Sequence, residues 1–193
     1  MKKRFIIVTF FCFLLSSVEG QNRSFYPVKK ENKTNKKSKL KTDLTEREKL
    51  NFETFFFNGL RQKALGNPEA AIEQFQKCIR VDGRKAAPLY EIAMLYQSFS
   101  QHEEALFFAE SASAIEKEND WYKQLQAELQ VSTQKYSEAI KSYKSLVKQH
   151  PGNEEWHFEL ASAYLLNNQP QKAIEVYDEM EEHMGVDEIL VMQ

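Results

Sequence analysis

The sequence predicts an all-α array of about four helical hairpins, and three observations carry that prediction. In "NPEAAIEQFQKCI" the apolar side chains Ala71, Ile72, Phe75, Cys78 and Ile79 fall on one helical stripe with polar residues between them. The stretch then recurs: "EAAIEQF", "EEALFFA", "SEAIKSY" and "QKAIEVY" place alanines at Ala71, Ala105, Ala139 and Ala173, at intervals of 34 residues without insertion or deletion. Twelve residues before each stands another small residue, Gly59, Ala93, Ala127 or Ala161. Two small residues at fixed separation, one on each of two helices, let the helices pack closely, so the repeating unit is a helical hairpin. Composition agrees, since 6 glycines and 5 prolines are few for a turn-rich all-β chain.

The elements follow in order. Residues 1–20 have a basic start (Lys2, Lys3, Arg4) and an apolar run from Phe5 to Leu15. They end with Val18 and Gly20 at the −3 and −1 places before Gln21, the pattern of a secretory signal peptide. The run is short of the roughly 20 apolar residues that span a membrane, and Phe11 stands before Cys12 where a lipoprotein acceptor wants a small residue. Residues 21–42 carry eight Lys or Arg against one acid, a net +7, with few apolar residues to offset their ordering entropy, and read as a disordered basic tether. From Asn51 onward 13 basic residues stand against 23 acidic ones, so the body carries −10.

The array is expected over 43–193, with repeats at about 52–85, 86–119, 120–153 and 154–187. Lys41 to Asn51, with Asp43 or Thr45 able to cap, reads as a short helix leading into it. Helices are then predicted near 52–65, 68–82, 87–99, 102–117, 119–132, 136–149, 154–167 and 170–183. Turn clusters at Gly66-Asn67-Pro68, Pro151-Gly152-Asn153 and Asn167 to Pro170 separate them, with Pro68 and Pro170 where a helix tolerates proline. "MGVDEILVMQ" reads as the start of a fifth first helix. The chain is therefore expected to be the front part of a longer array, a short terminal cap being the alternative. With the leader removed, Cys78 is the only cysteine, and its place on the stripe makes it a buried thiol.

The 34-residue period and its residues resemble the tetratricopeptide repeat family, whose signature sets a large residue, Leu-Gly, Tyr, Ala, Phe and Pro at fixed places. The fourth copy supplies Leu160-Ala161, Tyr164, Ala173 and Tyr177, the second Leu89, Ile92-Ala93, Tyr96, Ala105 and Ala112, and the third Ala139, Tyr143, Leu146 and Pro151. Departures are Gln62 and Gln130 in place of Tyr, Ala109 in place of Phe, and Gly83 and Gly185 in place of the closing Pro. The resemblance covers about Asn51 to Gly185. It implies a right-handed superhelical solenoid whose first helices line a concave groove for an extended peptide or partner helix. Carried over by position, the groove residues are Phe56, Leu60 and Lys63; Tyr90, Met94 and Gln97; Trp121, Gln124 and Glu128; and Phe158, Ser162 and Leu165. The family's clamp for a peptide C-terminal carboxylate uses Lys and Asn on the first helix, and Phe56 and Leu60 occupy the matching places here.

Signals for chemistry are missing. His102, His150, His157 and His183 have no metal-ligand spacing, and the chain has neither a Gly-rich phosphate loop nor a serine elbow. No enzyme activity, cofactor or metal is expected. The cluster Phe52, Phe55, Phe56 and Phe57 reads mainly as packing between hairpins. The expected function is a scaffold in the envelope or periplasm of a Gram-negative bacterium, binding a protein or peptide. The rivals are a regulatory front end of a longer signalling chain and a self-associating assembly protein. The basic tether suits weak contact with an anionic surface, and lacks the interleaved aromatics that nucleic acid binding would use.

Overall fold

Eight helices follow one another in the computed structural model, which describes residues 43–184. The predicted leader, the basic tether and the fifth-helix segment lie outside the described residues, as does the side chain of His183. The helices are α1 (Glu46–Ala64), α2 (Pro68–Val81), α3 (Ala87–Ser98), α4 (His102–Ile115), α5 (Asp120–Ser132), α6 (Tyr136–Gln149), α7 (Glu154–Leu166) and α8 (Pro170–Met184). Each packs mainly on its neighbours in the chain, the arrangement of an all-α solenoid.

One boundary departs from the sequence reading. The expected leading helix is not separate: α1 begins at Glu46 and runs through Asn51 unbroken. The reason is a capping box, in which Glu48 N–H donates to Thr45 Oγ1 and Thr45 N–H donates to the Glu48 carboxylate. Nothing between Thr45 and Gly66 stops the helix. Asn119 and Asn153 cap α5 and α7 in simpler fashion, each accepting from the N–H three residues on.

The two small residues of each hairpin meet as the spacing requires. Gly59, Ala93, Ala127 and Ala161 on the first helices and Ala71, Ala105, Ala139 and Ala173 on the second are all buried. The fit is tightest in the first hairpin, where a Cβ on Gly59 would lie 2.6 Å from the ring of the fully buried Phe75. Around these crossings the core runs on from hairpin to hairpin. Ile79, Tyr90, Phe108 and Tyr122 surround Leu89 and Ala112, and Tyr143, Leu146, Trp156, Leu160 and Tyr164 form one cluster from α5 to α8.

The hairpin turn is also periodic. Gly66, Ser100, Gln134 and Asn168, each 34 residues after the last, have φ of 74°, 57°, 61° and 56°. In each turn the following residue donates its N–H to the carbonyl five back: Asn67 to Gln62, Gln101 to Tyr96, Lys135 to Gln130 and Gln169 to Tyr164. This is the left-handed helix ending that glycine accepts without cost and other residues adopt under strain.

Departures from the repeat signature have local substitutes. Gln130, buried where Tyr is usual, accepts from Ser142 Oγ at 2.9 Å. Beside Ala109, Phe108 supplies the ring and stacks on Tyr96 at 5.6 Å. At Gly83, without the closing proline, the buried Asp82 carboxylate accepts from the Arg84 N–H and guanidinium, which holds it below the usual carboxylate range. Cys78 is buried, and burial pushes its thiol up to about 11.

Two substitutions of opposite sign test this geometry. Gly59→Ala should destabilise by about 1–2 kcal/mol, because overpacking against Phe75 exceeds the helix propensity gained. Gln134→Gly should stabilise by roughly 1 kcal/mol by removing a left-handed non-glycine residue. Urea unfolding followed by circular dichroism measures both, and a shift of the wrong sign in either would refute the corresponding packing argument.

Candidate peptide-binding groove

The first helices α1, α3, α5 and α7 carry the twelve residues that the repeat resemblance assigns to a groove, and none of the twelve is buried. Lys63 on α1, Trp121 on α5 and all three on α7 are exposed, and the others are half-buried. On α1, Phe56 is half-buried, its ring 6.2 Å from that of Phe52 and 5.7 Å from that of Phe75, so much of it belongs to the packing of the first hairpin. Leu60 is half-buried and Lys63 exposed. Phe57 points away from Phe52 and is 66% exposed.

Links between neighbouring first helices bring several of these residues together. Lys63 Nζ on α1 pairs with the Glu91 carboxylate on α3 at 2.7 Å. Tyr90 on α3 packs against Tyr122 on α5 with ring centroids 4.9 Å apart. Both phenols are raised by partial burial. From α7, Trp156 Nε1–H donates to Gln124 Oε1 on α5, and the Gln124 amide donates to Glu128. Met94 and Gln97 are half-buried, with no such link between them.

The most open side chains are at the other end. Trp121 on α5 is 71% exposed, Phe158 on α7 is 49% exposed with its ring 5.9 Å from Tyr177, and Leu165 is 50% exposed with Ser162 beside it. Exposed aromatic and aliphatic surface of this kind, on successive first helices, can receive apolar side chains of an extended segment.

Sequence reasoning missed the carboxylates beside this surface. Glu155 and Glu159 lie one turn apart on α7, on the face that carries Phe158. Partial burial, then the charges of Glu128 and Glu155, raise the Glu159 carboxyl. Tyr143 is 1% exposed, and its buried hydroxyl lies near the Glu159 carboxylate, outside the distance and angle of a well-formed hydrogen bond. The alternation of acidic and apolar residues on α7 was legible, but an exposed glutamate in a sequence reads as a solvated one.

Two of the histidines are held by polar neighbours. His157 is buried with Nδ1 2.9 Å from the Asn153 carbonyl, and His150 Nε2 lies 2.7 Å from the Asp120 carboxylate. Among the described residues no three His, Cys, Asp or Glu side chains converge as metal ligands, and no helix is long and apolar enough to cross a membrane. A separate open depression of about 380 Å³ lies among α4, α5 and α6 and shares none of the twelve residues; in it Lys123 Nζ is held by Ser145 and Gln149.

Comparisons with known proteins agree with this architecture. Two family models, each described as a tetratricopeptide repeat, match residues 125–185 and 62–84. No curated protein matches the chain. Among solved structures, a crystal structure of MamA is 19% identical with a TM-score of 0.61, over 70% of this chain and 75% of that one. MamA from Desulfovibrio magneticus RS-1 is 16% identical with a TM-score of 0.60, over 72% and 77%. The second domain of this repeat type in human RPAP3, solved in complex with an HSP70 peptide, is 22% identical with a TM-score of 0.54, over 60% and 97%.

A buried hydroxyl without a partner costs free energy that its removal returns. Tyr143→Phe should therefore leave stability unchanged or raise it by up to about 1 kcal/mol. A loss above that in thermal or urea unfolding would mean that the hydroxyl is bonded in solution.

Proposed function

We propose that this chain, which belongs to the tetratricopeptide repeat family, is a non-catalytic interaction scaffold that holds an extended peptide or partner segment along its first helices. The observation that carries the reading is the contrast on α5 and α7. Leu125, Ala127, Leu129, Leu160, Ala161 and Tyr164 are buried in the hairpins, while Trp121, Phe158 and Leu165 on the same helices stay open. Large apolar side chains left exposed in a row cost solvation that a partner would recover. The RPAP3 domain with its HSP70 peptide is a precedent for a peptide held by this fold. Phe56 and Leu60 at the carboxylate-clamp places favour recognition of internal side chains over capture of a free C-terminus.

The proposal extends to where the chain works. Lys2, Lys3 and Arg4 before the apolar run, with Val18 and Gly20 before Gln21, support export to the periplasm or envelope of a Gram-negative bacterium.

The test is capture from envelope extract by the chain from Gln21 onward and by its Trp121→Ala/Phe158→Ala version, with mass spectrometry of what is retained. Trp121 suits this better than Tyr90, whose ring supports Tyr122 and whose loss would perturb packing. We expect a partner held by the parent and reduced at least about tenfold in the variant, as for removal of two aromatic anchors, with circular dichroism melts that coincide. Equal retention by both would take the binding site off the groove.

A further inference from the structure

Three side chains around the depression among α4, α5 and α6 depart from their counterparts in the neighbouring copies. Lys123 on α5 stands at the place of Leu89 on α3 and His157 on α7, both of which are buried. Ser142 on α6 takes the place of Phe108 on α4 and Val176 on α8, and Ser113 on α4 that of Ile79 on α2 and Val147 on α6. Serine fills less space than any of these, so the helices leave a depression of about 380 Å³ between them.

Its charge is opposite to that of its surroundings. Lys117, Lys123 and Lys141 line it against one carboxylate, Glu118, a net +2 in a body that carries −10. The ion pairs among the described residues include none of the three lysines. Lys123 is half-buried, and its ammonium donates to neutral acceptors, Ser145 Oγ at 3.2 Å and Gln149 Oε1 at 2.8 Å. Gln149 is itself held, its amide donating to Glu118 at 2.9 Å. A partly desolvated charge with neutral partners carries a cost that an anion would offset. A lysine at a place that is core in the adjacent copies, held in position by a chain of hydrogen bonds, is a local departure of the kind found at functional sites. The Lys117 and Lys141 ammoniums, and the hydrogen of Ser145 whose Oγ accepts from Lys123, are left to donate.

We propose that this depression binds a phosphomonoester, its phosphate held by the Lys123, Lys117 and Lys141 ammoniums and the Ser145 hydroxyl. The group is close to dianionic at neutral pH and has three terminal oxygens. It therefore suits donors arriving from α5, from α6 and from the turn between α4 and α5 better than a planar carboxylate does. The site shares no residue with the groove, so it stands or falls independently of the peptide reading.

Isothermal titration calorimetry of the full chain at low salt tests it, with glycerol 3-phosphate as the soluble monoester and glycerol as the uncharged control. Glycerol 3-phosphate should bind saturably with a Kd below about 1 mM, and glycerol should give no binding heat. Lys123→Gln should weaken binding at least about tenfold, and so should Lys117→Gln/Lys141→Gln, whose side chains are exposed and whose loss leaves the core untouched. Lys172→Gln, which removes the same charge from α8, should stay within about twofold. Sedimentation with phosphatidylcholine vesicles containing phosphatidic acid identifies the source of the phosphate. Binding to these vesicles that is lost in Lys123→Gln and absent from pure phosphatidylcholine would make the ligand a lipid headgroup, and binding of the soluble ester alone would make it a free metabolite. Saturable binding of neither probe, or losses in the depression variants no larger than that of Lys172→Gln, would overturn the inference.

Discussion

The close crossing of two helices at a pair of small residues is the constraint on which this structure depends. Gly59 over Ala71, Ala93 over Ala105, Ala127 over Ala139 and Ala161 over Ala173 are buried in every hairpin. Any larger side chain there would push the axes apart and uncouple the rings that pack around the crossing, Phe75 in the first hairpin and Tyr143 in the third. Because a single hairpin has too little apolar surface to be stable alone, its geometry passes to the next through the clusters that span neighbouring helices. The face left to the first helices, and so the groove, is what remains after these crossings are satisfied.

A second constraint, the left-handed hairpin turn, is as regular as the first but was far less legible. Gly66 announces its conformation, and Asn168 tolerates it. Ser100 and Gln134 give no such signal, yet they adopt the same φ because the 34-residue spacing of the crossings leaves the same number of residues to reverse the chain. Tertiary spacing overrides local preference there. The start of α1 shows the opposite relation. Thr45 and Glu48 formed a capping box that was readable in the sequence, and the period suggested a helix beginning at residue 52, six residues too late. The period describes what repeats, and the first turns of α1 do not repeat.

The place of the candidate residues on the first helices was legible, and their surroundings were not. Counting from the crossings put Trp121, Phe158 and Leu165 on the first helices, and the structure leaves them open. Counting could not show that Phe56 spends much of its surface on Phe52 and Phe75, or that Lys63 is taken up by Glu91, since both depend on which neighbour lies across a helix pair. The same limit hid the acidic end. The partial burial of Glu159, and the Glu128 and Glu155 charges that raise its carboxyl further, depend on how α5 and α7 lie together and are not a property of any one helix.

Comparison of the four copies with each other separates packing positions from outward-facing ones within this single chain. At the crossings only glycine and alanine occur. At one groove place the successive residues are Phe56, Tyr90, Gln124 and Phe158, and four residues further on they are Leu60, Met94, Glu128 and Ser162. Positions that touch the next helix accept one size of side chain, whereas positions that face outward change in size, polarity and charge from copy to copy. A partner lying across four such rows meets a different chemistry in each: a half-buried aliphatic and aromatic patch on α1, a tyrosine pair bridging α3 and α5, and an aromatic surface flanked by carboxylates on α7. The order of these rows is polar along the array, so it can select one direction of a bound segment as well as its composition. The fold supplies equal spacing, and specificity arises from the inequality of what is placed on it.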